Sequence, residues 1–279
     1  MGGFLLLRVN AGLNDALSLL WRHTELAKRE SRTIIFVLEA YSACNLDDVI
    51  DFSNYPVPVL CGTSHYDNIT YSTIEPSCFG YDFKKKPNST TSDGTMAING
   101  VPSNIDLTKS YHPSALLVFA GCGNFGFSLE VFKHIKLRPQ LVNKIQSLRR
   151  SLPGNYISIH LRATDHPDQN RKVELQKIDS FLSSNPGKTA FLACDNMSLM
   201  KSLSEKYSQI IKSLSFIDIS LNEAPLHYEE GHKDPLCLEK AIIDIFVCAS
   251  ACDFLPSVGG YTRLIEQLYK SKSLLHSLI

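Results

Sequence analysis

Apolar positions along this chain change rhythm several times. Short runs of apolar and β-branched residues alternate with longer stretches in which apolar residues return every three or four places. Phe4–Val9 predicts a strand, Asn10–Asp15 a glycine-containing loop, and Ala16–Glu30 a helix with Leu17, Leu20, Trp21 and Leu26 in register. Thr33–Leu38, rich in β-branched residues, predicts a second strand. Strand, loop, helix, strand is a βαβ unit and implies a parallel sheet. Asp51 to Leu107 reads as irregular, with prolines at 56, 58, 76, 87 and 102 and a polar cluster from Asn88 to Asp93. Leu116–Ala120 predicts another strand, followed by Gly121, Gly123 and Gly126.

The same alternation restarts further on. Leu137–Leu148 predicts a helix, ending at Arg149-Arg150 and then Pro153-Gly154. Strands follow at Tyr156–Leu161, Thr189–Ala193, Phe216–Ile219 and Asp253–Pro256. Helices are expected at Val173–Ser183, Ser198–Tyr207, Leu236–Ala249 and Tyr261–Ser271. Two α/β halves of similar size, residues 1–138 and 139–279, predict an α/β protein of two Rossmann-like domains facing across a cleft.

Composition narrows the partners. Of 279 residues, 44% are hydrophobic, and 28 Lys and Arg balance 28 Asp and Glu. A formal charge of zero supplies no bulk attraction for nucleic acid or an acidic membrane. Phe4–Leu7 is too short for a signal-peptide core, and no stretch is long enough for a membrane span. Gly2 lacks the Ser or Thr that N-myristoylation wants, since Leu6 stands there. The expected location is the cytoplasm. Eight cysteines, scattered without a paired CxxC, then read as buried free thiols, and the sequons at Asn68 and Asn88 as unmodified.

Three segments carry candidate chemistry. His160-Leu161-Arg162-Ala163-Thr164-Asp165 closes a strand, at the end where open α/β sheets bind ligands. An Arg there presents a fork of donors matched to phosphate, although Arg162 can equally form a structural ion pair with Asp165. Cys194-Asp195-Asn196 closes the next strand; either acid or amide can take a ribose hydroxyl or a base N–H, or simply cap the following helix. Ser257-Val258-Gly259-Gly260-Tyr261-Thr262 turns a strand into a helix whose free amides suit a pyrophosphate.

Taken in order, these segments resemble the donor-binding half of the fucosyltransferase superfamily: the protein O-fucosyltransferases, α-1,6-fucosyltransferases and nodulation fucosyltransferases. In that group one strand ends in His-x-Arg with an acid close behind, a second in Asp-Asp or Asp-Asn, and a Ser-led turn opens a late helix. The likeness covers residues 137–270. In the first half it rests on Asn10-Ala11-Gly12-Leu13-Asn14-Asp15, similar to the family's first Gly-Asn loop. It implies a GT-B fold and a nucleotide-sugar donor held by His160, Arg162, Asp195, Asn196, Ser257, Gly259, Gly260, Tyr261 and Thr262, with Gly12 and Asn14 from the first loop. It also implies transfer without a metal, and the sequence has no Asp-x-Asp pair at a strand end.

Two departures bear on the donor. Ala163 stands where several relatives have a second Arg, and Asp15 where many have Gln. The compact chain is also similar to the glycosyltransferases with which large viruses of algae build capsid glycans, a xylosyltransferase among them. UDP-xylose is therefore expected slightly ahead of GDP-fucose, with an oligosaccharide or glycoprotein glycan containing fucose as acceptor. Inverting transfer needs a base; Asp67 and Asp15 are the candidates, with Glu39 third. Two other classes compete. A binding module would hold the nucleotide without turnover. A phosphatase or kinase would act on phosphate directly, but the chain lacks both a P-loop and a Cys-x5-Arg loop.

Overall fold

The computed structural model describes residues 3–67, 71–77, 89–91, 95–98, 101–103, 105–121, 128–163, 168–208, 210–212 and 234–279. The chain divides into two compact units, residues 1–136 and 137–279.

In the first unit, β1 (Phe4–Val9), β2 (Thr33–Leu38), β3 (Val59–Cys61), β4 (Ile74–Glu75) and β5 (Leu116–Gly121) form one parallel sheet in the order β3-β2-β1-β5-β4. Every residue of β1 after Phe4 is buried, as are the last five of β2 and all of β5, which is why these strands read as unbroken apolar runs. Leu6, Ile35, Val37, Leu116, Val118 and Ala120 pack together on one face. Helix α1 (Leu13–Arg29) packs against β1 and β2, burying Leu17 and Leu20.

Two expectations for this half need correction. Helix α1 starts at Leu13, because Gly12 takes an extended conformation as its N-cap and accepts from Ala16 N–H at 3.1 Å. Asn14 and Asp15 therefore lie in the first helical turn and not in a loop. The stretch from 51 to 107 also contributes β3 and β4 to the sheet, and Ser89–Thr90, Met96–Ile98 and Val101–Pro102 pair as an antiparallel ladder. Strands of two or three residues are too short to show a period. Asp67 ends a single helical turn, α2 (Ser64–Asp67), where an irregular loop was expected.

A charged cluster closes the amino ends of β1, β2 and β5. Glu30 accepts from Arg32 Nε at 2.8 Å and contacts His112 Nδ1 at 2.7 Å, with all three side chains no more than 3% exposed. Arg32 Nη2 donates to the His112 carbonyl at 2.6 Å. Glu75 lies 3.7 Å from His112 Nε2, too far for a hydrogen bond.

The second unit starts with helix α3 (Pro139–Ser151). Strands β6 (Ile157–Leu161), β7 (Ala190–Cys194), β8 (Ile210–Lys212) and β9 (Asp253–Leu255) are parallel, in the order β8-β7-β6-β9. The fourth strand of this sheet is thus Ile210–Lys212; Phe216–Ile219 lies outside the described residues. Helices α4 (Asp168–Ser184) and α5 (Met197–Lys206) bury Ile178, Leu182, Met200 and Leu203 against Ile157, Ile159 and Leu161. The opposite face of β6 carries Ser158 and His160, turned toward α6 (Cys237–Ser250) and α7 (Gly260–Lys270): Ser158 Oγ donates to the Cys248 carbonyl at 2.9 Å. A last helix, α8 (Lys272–Leu278), has no counterpart in the sequence reading; Lys272 Nζ donates to the carbonyls of Ala249 and Ala251, closing the end of α6.

The cysteines are free thiols among the described residues, but Cys252 is exposed and Cys44 half-buried, against the expectation that all are buried. Cys252 follows α6 at a turn and bonds Asn155 O through its thiol, which draws it to the rim of the sheet. No helix among the described residues is long and apolar enough to cross a membrane.

Candidate functional site

The second sheet runs outward from β6 to β7 and β8 on one side and returns to β9 on the other. The chain leaving β6 and the chain leaving β9 thus flank a topological switch point, the usual ligand position in such sheets. Arg162 leaves β6 there, and its N–H donates to Ser257 Oγ at 3.3 Å on the segment leaving β9.

Gly259 joins the two. Its φ of +98° is one that side-chain-bearing residues rarely adopt, and it is the N-cap of α7. A Cβ at this position would overlap Arg162 Nη1 and sit 3.4 Å from its Cζ. The guanidinium therefore lies directly against the glycine, beside a helix start whose first-turn amides lack carbonyl partners within the helix. We expect Gly259→Ala to destabilise the fold by about 1–2 kcal/mol through backbone strain and to displace Arg162. In a double-mutant cycle with Arg162→Ala, its cost to nucleotide affinity should disappear while its cost to stability remains. Affinity losses that simply add would show that Gly259 does not act through Arg162.

His160 is 7% exposed and stands 2.6 Å through Nδ1 from Thr262 Oγ1, whose hydroxyl also donates to Val258 O at 3.1 Å. Its ring lies 4.9 Å from that of Tyr261, whose own hydroxyl donates to Ala241 O at 2.6 Å. Burial, reinforced by the charge of Arg162, lowers the His160 pKa to about 3. His160 is neutral near pH 7, so charge compensation for a bound anion falls to Arg162. The backbone of Val258 is held by Thr262, while the residue is 42% exposed.

Asp195, at the end of β7, accepts from Ala163 N–H at 2.7 Å and so ties the segment after Arg162. Asn196 caps α5, its side chain accepting from Leu199 N–H at 2.9 Å. The structure thus brings His160, Arg162, Asp195, Ser257, Gly259, Tyr261 and Thr262 to one end of this sheet, with Gly260 opening α7. Asp165 lies outside the described residues.

In the first unit the segment after β1 occupies the corresponding switch point between β1 and β5. Asn10 N–H donates to Gly121 O at 2.8 Å, while the buried Asn10 Oδ1 has no hydrogen-bond partner. Gly12 has open space around its Cα, Asn14 is buried, and Asp15 is half-buried. The side chain of Asp67 lies outside the described residues.

Sequence reasoning missed Arg8. It is 3% exposed on β1 and donates through Nε to Glu39 Oε1 at 2.6 Å. The signal was present: a lone charge inside the run Phe4–Val9. No group of three or more His, Cys, Asp or Glu side chains that could hold a metal occurs among the described residues.

No described protein family and no curated protein matches the chain. Solved structures do. The fucosyltransferase NodZ from Bradyrhizobium aligns at 16% identity over 96% of this chain and 93% of that one, with a TM-score of 0.64. A NodZ α-1,6-fucosyltransferase co-crystallised with GDP gives 0.63 over the same shares at 16% identity. POFUT1 in complex with GDP-fucose aligns at 10% identity over 96% of this chain and 94% of that one, with a TM-score of 0.54. The chain thus shares the α/β fold of these fucosyltransferase structures.

Proposed function

We propose that the chain is a metal-independent inverting glycosyltransferase that moves a sugar from a nucleotide diphosphate onto a glycan hydroxyl. The observation that supports this best is Arg162 lying on Gly259 beside the start of α7, at the switch point of the second sheet. Charge grows on the diphosphate as the sugar–oxygen bond breaks, and a guanidinium with helix-start amides is suited to stabilise it. On this reading residues 139–279 bind the nucleotide sugar and residues 1–138 serve the acceptor. The acceptor's proton passes to an acid of the first unit, with Asp67, Asp15 and Glu39 as candidates.

Two donors fit. UDP-xylose is favoured by Ala163, which withholds the second Arg; the acceptor would then be an oligosaccharide or glycoprotein glycan containing fucose. GDP-fucose is favoured by the likeness to NodZ soaked with GDP-fucose and POFUT1 in complex with it.

A thermal-shift screen with UDP, GDP, UDP-xylose and GDP-fucose, followed by donor hydrolysis with and without EDTA, tests the reading. A cognate donor at ~100 times its dissociation constant adds about 2.7 kcal/mol of stability. Turnover should survive the chelator. No shift with any nucleotide would sink the donor site, and loss with EDTA that manganese or magnesium restores would sink the metal-free mechanism. A shift without turnover would make the chain a binding module.

A further inference from the structure

His23 sits in the core of the first unit with one ring nitrogen unanswered. It lies in the middle of α1, is 1% exposed, and has its ring 4.8 Å from that of Phe119 on β5. Nδ1 stands 2.9 Å from the Leu19 carbonyl, an acceptor only, so Nδ1 carries the proton and donates. Nε2 is then a buried lone pair, and among the described residues it has no hydrogen-bond partner. A second proton there would make a buried cation. The surroundings offer that cation no carboxylate. Leu5, Leu7, Ile34, Phe36, Leu117 and Phe119 alternate with the residues packed on the other face of the sheet, so the face beneath α1 is apolar. Arg8 falls on the other face by the same alternation and pairs with Glu39. In the helical turn Glu130–Lys133, which also packs on α1, Glu130 and Lys133 pair with each other and are about half exposed. Tyr55 and His134, which reach α1 at Thr24 and Trp21, supply no negative charge. On α1 itself Arg22, Glu25, Lys28 and Arg29 are exposed, and Asp15 lies two turns away.

We propose that His23 is an acid-sensitive latch, which keeps α1 seated on the first sheet at neutral pH and releases it in mild acid. Burial lowers the His23 pKa from 6.5 to about 4, against a smaller rise from the Leu19 bond and with Arg22 adding to the fall. A lowered histidine means that the opened chain takes the proton first. The stability is therefore fully present above pH 6.5 and is lost as pH falls toward 4, a window mostly above that of the Glu30 carboxyl. Because α1 begins beside Gly12, at the ligand-binding edge of the sheet, its release unmakes that edge as well. The latch stands whether or not the chain is a glycosyltransferase.

Hydrogen exchange of the full chain, read by mass spectrometry from about pH 7.5 to about pH 5 and corrected for the intrinsic rate, tests the latch. One proton linked to opening multiplies the opening constant by about ten per pH unit inside the window, so protection of the α1 amides should fall about 30-fold over that range. His23→Gln and His23→Leu, which cannot take the proton, should abolish the fall. His276→Gln, at an exposed histidine of α8, should leave it in place. A parent whose α1 protection changes by less than about threefold, or a fall that persists in a folded His23 variant, overturns the latch. If neither variant folds, 15N NMR of the histidines in the parent decides the matter. The His23 ring, assigned through its contact with Phe119, should keep the neutral Nδ1–H form at about pH 5.5, and a native ring already charged there overturns the proposal.

Discussion

Arg162→Ala is expected to weaken nucleotide-sugar binding by about 1.5–3 kcal/mol, roughly 10- to 150-fold in dissociation constant, while the second unit stays folded. The neutral state of His160 makes the expectation sharp. With its pKa lowered to about 3, chiefly by burial, that ring brings no positive charge to the switch point at neutral pH, and on the proposed reading the charge facing the diphosphate is that of Arg162. Fold and site separate cleanly at this position: the Arg162 backbone bond to Ser257 survives truncation to alanine, and the core beneath is apolar. Calorimetry with GDP and UDP checks the result, alongside an unchanged far-ultraviolet spectrum. Equal affinity in parent and variant would remove Arg162 from the donor site.

Glu30→Ala should cost about 3–5 kcal/mol of stability, because it leaves Arg32 buried with carbonyl partners only. Urea denaturation reads the loss directly. Burial alone would raise the Glu30 carboxyl, but hydrogen bonds from His112 and Arg32 and their charges outweigh it, and its pKa falls below the ordinary 4.5. The unfolded chain therefore takes up this proton first as pH drops. The stabilisation is fully present above about pH 4.5 and is lost as pH falls through the lowered value. Glu30→Gln, which keeps the shape without the titration, should flatten that part of the acid unfolding curve. An unchanged acid slope in Glu30→Gln would show that Glu30 is not coupled to folding in this way.

Much of the architecture was legible because both sheets are buried on two faces. Phe4–Val9, Thr33–Leu38 and Leu116–Gly121 stand out as apolar runs for that reason. Strands such as Ile74–Glu75 were not legible, since two residues carry no period and the ladder alone defines them. Helix α1 began earlier than its apolar rhythm suggested because its start depends on the conformation of Gly12, a backbone property that composition does not reveal. In the site, His-x-Arg and the Gly-Gly turn were visible as motifs, yet their meeting was not. It depends on β6 and β9 being neighbours in space, although far apart in sequence. Asn196 showed the opposite ambiguity: its capping bond to Leu199 was one of two readings that its position at a helix start allowed. The Arg8–Glu39 pair escaped altogether, because a lone charge within an apolar strand says nothing of which neighbour will meet it.

For protein engineering, Val258 has a particular value. The local backbone is secured through its carbonyl, which accepts from Thr262, while the residue is exposed and precedes Gly259, the glycine that Arg162 lies against. Structure at this position is thus encoded by a group that every amino acid possesses, and the variable group is left unconstrained. A saturation library at residue 258 can therefore sample size, polarity and aromaticity beside the proposed nucleotide site without removing the carbonyl that Thr262 holds. That makes it the natural first position at which to retune donor preference.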